Sequence, residues 1–303
     1  MPLSQKPKLL VITGPTATGK SDLAVELARI HNGEIISADS RQVYTGLDIG
    51  TGKITTTEMH GIPHHLLDVA HPDEEFSVTE YQKLAQAFIT DILARGKTPI
   101  LCGGTGLYIS AVVDNRIFPA VPPNQKLRDE LETLTTDELF TQLTTLDLGR
   151  ANTIDHKNRP RLIRAIEIAT ALGTVPREPK PESPYETLMI GLMLPDNELI
   201  NRITKRLETR LTAGMLDEAR TLREKFGDEV LVSLGIEYAA MIEYLKDSIS
   251  ESEMRDMIIT KSRQYAKRQM TWFKRDQRIQ WFHPVLDREQ IFEVVKHFID
   301  TNK

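Results

Sequence analysis

An α/β fold is predicted for this chain: a parallel sheet flanked by helices, carrying a small helical insertion domain. Three observations predict it. Short apolar runs alternate with helical periodicities through the first third of the sequence, the pattern of parallel strands joined by crossover helices. The run Leu9-Leu10-Val11-Ile12 leads directly into Gly14-Pro15-Thr16-Ala17-Thr18-Gly19-Lys20-Ser21, which fits G-x-x-x-x-G-K-[ST], and then into a helical pattern with Leu23, Ala24, Leu27 and Ala28. From about Asn115 to Leu148 the alternation stops, and Pro119, Pro122 and Pro123 introduce a polar stretch with Leu127, Leu131, Leu134, Leu139, Leu143 and Leu146. The predicted division is a core of residues 1–114 with about 150–303, and a helical insertion of about 115–149.

The strand, loop and helix at 9–28 make the sheet of the P-loop nucleoside-triphosphatase type. Glycines let successive backbone N–H groups turn inward on an anion, and the following helix points its positive end at the same place. Lys20 adds a mobile positive charge, and the Ser21 hydroxyl is placed to hold a magnesium ion. The bland alternative is a glycine-rich turn that only packs. The loop alone does not say whose phosphate it holds.

At 303 residues, 40% hydrophobic and 27% charged, the chain has the composition of a soluble globular protein with a core that needs no covalent staples. Its single cysteine, Cys102, excludes an internal disulfide and a cysteine-rich metal site, and reads as an inert thiol within a strand. Met1–Pro7 lacks the apolar region of a signal peptide, and no run reaches membrane length, so a cytoplasmic protein is the expectation; a monomer is expected as well, though no residue pattern carries that. The net charge of −5 hides local basic clusters. Between Lys261 and Arg278 lie Lys261, Arg263, Lys267, Arg268, Lys274, Arg275 and Arg278 against Asp276 alone; Lys157, Arg159, Arg161 and Arg164 form a second cluster, and Arg202, Lys205, Arg206 and Arg210 a third. A polyanion responds to such patches rather than to the net charge.

In chain order, Glu34–Asp39 reads as a second strand ending on a carboxylate, followed by a glycine-punctuated loop through Gly46–Lys53. A helix over Thr79–Ala94 shows Tyr81, Leu84, Phe88 and Ile92 at spacings of three and four. Thr98–Cys102 is a third strand, ending in Gly103-Gly104-Thr105-Gly106. A helix with Leu162, Ile166 and Ala169 follows the basic segment at 159–164, and Pro176, Pro179, Pro181 and Pro184 mark a loop. Thr187–Leu194 returns to the sheet, the remainder is helical to about Asp276, and Ile279–Phe282 is a short last strand before a closing helix.

Ligands of open α/β sheets bind at the carboxyl ends of the strands. Three groups fall there: the loop after strand one, Asp39 after strand two and Thr105 after strand three. Asp39 has three readings, as a turn or cap residue, a substrate or magnesium ligand, and a general base. Strand three ends in Gly103-Gly104 where P-loop hydrolases carry an acidic residue for their magnesium site, which argues against ATP or GTP hydrolysis. His64 and His65 are adjacent and without a carboxylate cluster, so they read as a structural turn.

The segments Gly14–Ser21, Asp39-Ser40-x-Gln42-Val43-Tyr44, Asp48-Ile49-Gly50-Thr51, Gly61-Ile62-Pro63-His64-His65-Leu66-Leu67-Asp68 and Gly103-Gly104-Thr105-x-Leu107-Tyr108 resemble, in order, the signatures of the tRNA dimethylallyltransferases. Arg161-x-x-Arg164-Ala165-x-Glu167 and Tyr265-Ala266-Lys267-Arg268-Gln269-x-Thr271-Trp272 extend the resemblance, which runs from about Leu9 to Phe282. It implies transfer of a dimethylallyl group from dimethylallyl diphosphate to the exocyclic N6 of adenine 37, beside the tRNA anticodon, releasing pyrophosphate. It further implies Asp39 as general base, with Thr105 at the target adenosine and Lys20 on the leaving group. Gly14, Pro15, Thr16, Ala17, Thr18, Gly19, Lys20, Ser21 and Arg202 are implied at the diphosphate, with Mg2+ on Ser21. For the tRNA anticodon stem-loop, the implied contacts are Asp39, Ser40, Arg41, Gln42, Thr105, Arg128, Pro160, Arg161, Leu162, Ile163, Arg164, Lys267 and Arg268. The chemistry is consistent with these roles: the leaving group is a pyrophosphate, the adenine amine needs proton removal as it attacks, and a stacked base must be flipped out to be reached.

The chain departs from the family at Ser233-Leu234-Gly235-Ile236-Glu237-Tyr238, where an acidic residue stands in a turn that is usually basic, so no tRNA contact is carried over there. Arg206 is open to pairing with Glu208, and Arg202 with Glu198, across solvent. Three other functions compete with the leading one: prenylation of free AMP or ADP, a small-molecule kinase, and an RNA-binding protein with an inactive loop. The insertion and the basic 261–275 segment argue against the first, and the intact Gly19, Lys20, Ser21 and Asp39 against the last.

Overall fold

The structure, a computed structural model, describes residues 6–176, 179 and 181–301. Its elements are, in order, β1 (Lys8–Thr13), α1 (Lys20–Ile30), β2 (Gly33–Ser37), β3 (His64–His65), α2 (Val78–Ala94), β4 (Thr98–Gly103), α3 (Gly106–Val113), α4 (Gln125–Glu132), α5 (Thr136–Leu146), α6 (Leu148–Ala151), α7 (Arg159–Leu172), β5 (Glu186–Leu192), α8 (Asp196–Thr212), α9 (Met215–Leu234), α10 (Ile236–Leu245), α11 (Glu251–Phe273), β6 (Ile279–Phe282) and α12 (Arg288–Asp300). Among the described residues no helix is long and apolar enough to cross a membrane.

All six strands are parallel, in the order β3-β2-β4-β1-β5-β6. β1 lies at the centre and shows why an unbroken apolar run makes a strand here: both of its faces are covered. Leu9 and Val11 point to a cluster with Tyr81, Ile89 and Ile92 of α2 and Ile109 and Val112 of α3. Leu10 and Ile12 point the opposite way, to Leu23 and Leu27 of α1 and Ile291, Val295 and Ile299 of α12. All four β1 residues are fully buried, and each contributes about 2 kcal/mol on transfer grounds, as an upper estimate. A third apolar cluster joins α9, α10 and α11 through Leu222, Leu231, Met241, Met254 and Ile258, and takes in Leu47.

Three sequence expectations are corrected. β2 stops at Ser37, so Ala38 and Asp39 lie beyond the strand. His64–His65 is a short edge strand rather than a turn; His65 Nε2 meets the Glu34 carboxylate at 2.8 Å, and His64 Nδ1 meets the Ile62 carbonyl at 2.9 Å. In α2 the buried stripe is Tyr81, Ala85, Ile89 and Ile92, while Leu84 is exposed. Small Ala85 lets the helix approach, and Leu84, one residue earlier, is rotated about 100° off the face.

The chain falls into two compact units, residues up to Asn115 with those from Glu182, and residues 116–181. The helical unit therefore runs past the predicted end near 149, because α7 belongs to it. Leu131, Leu139 and Leu143 pack against Leu162, Ile163 and Ile166 in one small core. Capping explains where its helices begin: Thr135 and Glu138 form a reciprocal capping box for α5, and the Asn158 side chain accepts from Arg161 N at α7. In the expected proline loop, Arg177, Glu178 and Lys180 lie outside the described residues, and Pro176, Pro179 and Pro181 are in no regular element.

Candidate active site

The carboxyl ends of β1, β2 and β4 open onto a cavity of about 280 Å3 in the larger unit. Its lining includes Thr16, Lys20 and Ser21 from the phosphate loop, Asp39, Arg41 and Gln42 from the segment after β2, and Thr51 and Gly52 from the next loop. Arg206 of α8, Glu237 of α10, and Tyr265, Arg268 and Gln269 of α11 close it.

The phosphate loop takes its shape from Gly14, Ala17 and Gly19, all at positive φ (137°, 63° and 90°). Thr18, fully buried, donates to the Pro15 carbonyl at 2.9 Å and ties the loop across itself. Gln269 braces it from α11: its Oε1 accepts from Thr16 N at 2.9 Å while its Nε2 donates to the Gly104 carbonyl at 2.8 Å. Gln269, inside the motif read as basic and RNA-facing, is thus a strut between two strand ends. Lys20 donates to the Pro15 carbonyl at 2.7 Å, and burial lowers its pKa to about 8, with Arg206 adding to the effect.

The glycine at the end of β4 has a steric reason. A Cβ on Gly103 would stand 2.1 Å from the Ala38 carbonyl oxygen, so no acidic side chain fits where P-loop hydrolases place one. Cys102, beside it, is buried, and burial raises its thiol pKa to about 12, which leaves it unreactive as expected.

Asp39 lines the cavity and also serves its turn. Its Oδ1 accepts from Arg41 N at 2.9 Å and Gln42 N at 3.4 Å; the turn makes no use of Oδ2. The cap reading and a chemical role are therefore compatible. Thr105 does not cap α3 with its side chain; instead its Oγ1 accepts from Ser40 N at 2.9 Å and donates to Ser40 Oγ at 3.3 Å, locking the residue after Asp39 to the link between β4 and α3. Gln42 Nε2 is engaged with the Gly52 carbonyl at 3.1 Å.

Helix α8 presents Arg202, Arg206 and Arg210 on successive turns of one side. Arg202 reaches the Thr18 carbonyl at 3.4 Å. Arg206, left open in the sequence, donates to Thr16 Oγ1 at 3.2 Å and to the Thr51 carbonyl at 3.4 Å, and burial lowers its pKa. Arg210 donates to the Gly50 carbonyl at 3.4 Å and stands 3.7 Å from Glu237. The solvent pairings considered for Arg202 and Arg206 do not form: Glu208 pairs with Arg255, and Glu198 with His283. The expected 233–238 turn is instead the junction of α9 and α10 at Gly235; Glu237, the acidic departure, lies in the first turn of α10 and faces this arginine column, and burial raises its pKa.

In the helical unit two implied tRNA contacts are corrected. Leu162 is fully buried and Ile163 nearly so; both are core side chains of α7, turned away from solvent. Pro160 and Arg161 are exposed at the start of the same helix. Arg128 and Arg164 share one buried carboxylate, Glu167, which accepts from Arg128 Nε at 2.8 Å, Arg164 Nη1 at 3.0 Å and Asn124 N at 2.9 Å. Burial alone would raise the Glu167 pKa, but these donors outweigh it and hold the value below the usual range. In the larger unit Lys267 is exposed on α11, and the Arg268 guanidinium lies 5.7 Å from the Tyr265 ring centroid at the cavity wall.

Among the described residues no group of three histidine, cysteine, aspartate or glutamate side chains is placed to hold a metal. Among the oxygen donors lining the cavity, Ser21 and Asp39 are of the kind magnesium takes, one or two protein oxygens with water and phosphate completing its shell. Sequence reasoning missed Arg206 as a cavity residue, Gln269 as a strut and Glu237 as an acidic wall. For Arg206 the spacing from Arg202 was the available signal; its nearest acidic neighbour in sequence pointed the other way.

Residues 42–276 match the family described as IPP transferase. The tRNA dimethylallyltransferase of Anoxybacillus flavithermus is 40% identical over 299 residues, covering 97% of this chain and 96% of that one. The enzyme of the same name from Halalkalibacterium halodurans is 41% identical over 286 residues, covering 91% of each. Among solved structures, the full-length tRNA isopentenylpyrophosphate transferase from Bacillus halodurans superposes with a TM-score of 0.74 at 38% identity, covering 98% of both chains. A eukaryotic dimethylallyltransferase acting on tRNA gives 0.82 at 26% identity, covering 98% of this chain and 80% of that one. With its phosphate loop, its glycine-ended β4 and the length of these matches, this chain belongs to the IPP transferase family.

Proposed function

We propose that this protein transfers the dimethylallyl group of dimethylallyl diphosphate to the exocyclic N6 of adenine 37, next to the anticodon in tRNA. The observation that carries the reading is the convergence of a phosphate loop, two half-buried cations and the Asp39 carboxylate on a single cavity. The diphosphate lies on the backbone of Gly14–Ser21, with Lys20 and Arg206 on its oxygens and Arg202 at the loop's edge. As the bond between the allylic carbon and oxygen breaks, its electrons pass to the departing pyrophosphate, whose growing charge these fixed cations stabilise without rearrangement. The N6 nitrogen forms the new bond to that carbon, and its proton passes to the Asp39 carboxylate. Ser40, locked by Thr105, and Arg41 directly follow this base in the chain, which supports a role for them in contacting the flipped adenosine. Magnesium held by Ser21 would supply further neutralisation of the pyrophosphate. Lys267 and Arg268, and Pro160 and Arg161 in the other unit, supply exposed or cavity-edge groups for the anticodon stem-loop.

The test is labelled transfer. With labelled dimethylallyl diphosphate, magnesium and an unmodified anticodon stem-loop, label is expected on the adenine 3′ of the anticodon. Transfer to free AMP at equal efficiency would overturn the tRNA reading in favour of a free-nucleotide prenyltransferase.

A further inference from the structure

Glu218, which no sequence motif singled out, sits in the first turn of α9 with its carboxylate against the loop that follows the cavity segment. It accepts four hydrogen bonds: Asp48 N at 3.0 Å and Ile49 N at 2.7 Å on Oε2, and Gly50 N at 2.8 Å and Tyr238 Oη at 2.7 Å on Oε1. Three consecutive backbone N–H groups converging on one anion form a nest, and the charge strengthens each bond. The fourth donor is secure, because burial and the carboxylate beside it hold the Tyr238 phenol far above its ordinary pKa. Gly50 must be glycine here, since a Cβ would stand 2.5 Å from the Tyr238 ring. The loop so held delivers two carbonyls to the cavity: Thr51 O receives Arg206 Nη2, and Gly52 O receives Gln42 Nε2. Arg210 Nη1 meets Gly50 O at 3.4 Å from the same side.

We infer that Glu218 is a positioning residue for the transfer reaction: gripping the backbone of residues 48–50, it sets the loop that orients Arg206 and Gln42 in the cavity. It hydrogen-bonds the lining residue Tyr238, and it reaches Arg206 and Gln42 only through the loop. The inference rests on the transferase reading above. It also explains the α9–α10 junction at residues 233–238, whose Tyr238 completes the grip while Glu237 faces the arginines that the loop receives.

Glu218→Gln removes the charge and converts one acceptor oxygen to an NH2 that opposes N–H donors, so at least one backbone N–H loses its acceptor, and two do if the NH2 faces Asp48 and Ile49. The expected result is a fall in kcat of about 10- to 100-fold, the usual cost of an outer-shell orienting group, with KM for tRNA within about twofold. Hydrogen exchange at the amides of residues 48–50 should accelerate while β1 and β4 remain protected. In an Arg206→Gln background the same change should add little, because both act through one contact chain. Unchanged kcat, or a double variant whose loss is the product of the two single losses, would overturn the proposal. Should Glu218→Gln melt below the assay temperature, Gly50→Ala displaces the loop from the other side and must show the same selective kcat loss; normal turnover in it would be equally contradictory. Wild-type protein that transfers no label would contradict the function instead, and the exchange measurement would still decide whether Glu218 holds the loop.

Discussion

Two charged clusters in the sheet unit, one around Glu34 and one around Lys20, are built in opposite ways. Glu34, whose side chain is 2% exposed, is ringed by Arg95, Lys97 and His65, and the Arg95 hydrogen bonds outweigh burial and hold its carboxyl far below the ordinary range. Every charge there is answered by another, and the cluster staples β2 and β3 to the residues between α2 and β4. Lys20 and Arg206 are half-buried, and they hydrogen-bond neutral oxygens: the Pro15 carbonyl, Thr16 Oγ1 and the Thr51 carbonyl. Burial lowers the proton affinity of both, the reverse of what a paired cation shows. The helical unit repeats the first design, with Arg128 and Arg164 on Glu167. Cations answered by a buried carboxylate are structural, whereas cations desolvated among neutral oxygens make a site for an anion.

Substitutions that separate the two designs follow, in descending order of effect. Asp39→Ala removes the proposed base and should lower turnover about 100- to 10,000-fold, with tRNA affinity nearly intact. A filter-binding assay showing lost affinity beside normal turnover would make Asp39 a recognition residue. Glu34→Gln should cost about 2–3 kcal/mol of stability, the worth of hydrogen bonds to charged groups, and leave turnover per folded molecule unchanged. Its pH signature has a definite sign. With the folded pKa depressed, the Glu34 contribution is present above the ordinary value of 4.5 and is lost as pH falls below it, so denaturant midpoints of wild type and variant should converge in acid. Arg206→Gln should weaken diphosphate use about 10- to 100-fold, with Arg202→Gln costing less because its one contact is a 3.4 Å bond at the loop's edge. Equal effects of the two in steady-state kinetics would mean that the column acts by charge alone.

How much of this was legible beforehand depends on the length scale of the signal. β1, its loop and α1 were legible because motif, apolar run and helical period fall within twenty residues, and β6 emerged with its boundaries intact. Asp39 and Lys20 were readable as sheet-edge residues for the same reason. Arg128, Arg164 and Glu167 show what was not legible: three charges separated by 36 or more residues along most of their span look like an RNA-facing cluster until the fold buries the carboxylate between them. Leu162 and Ile163 failed similarly, since a motif marks a segment and only packing assigns its faces. Arg206, Gln269 and Glu218 lay hidden because each acts on backbone groups from a distant helix, and backbone acceptors leave no trace in sequence.

The most direct measurement is pyrophosphate binding by calorimetry, comparing wild type with Lys20→Gln at pH 7 and pH 9. A lysine with a pKa of about 8 is mostly charged at the lower pH and mostly neutral at the higher one, so the wild-type advantage should shrink about tenfold across that interval. Two proteins that bind pyrophosphate equally at pH 7 would contradict the assignment of this cavity as the leaving-group site.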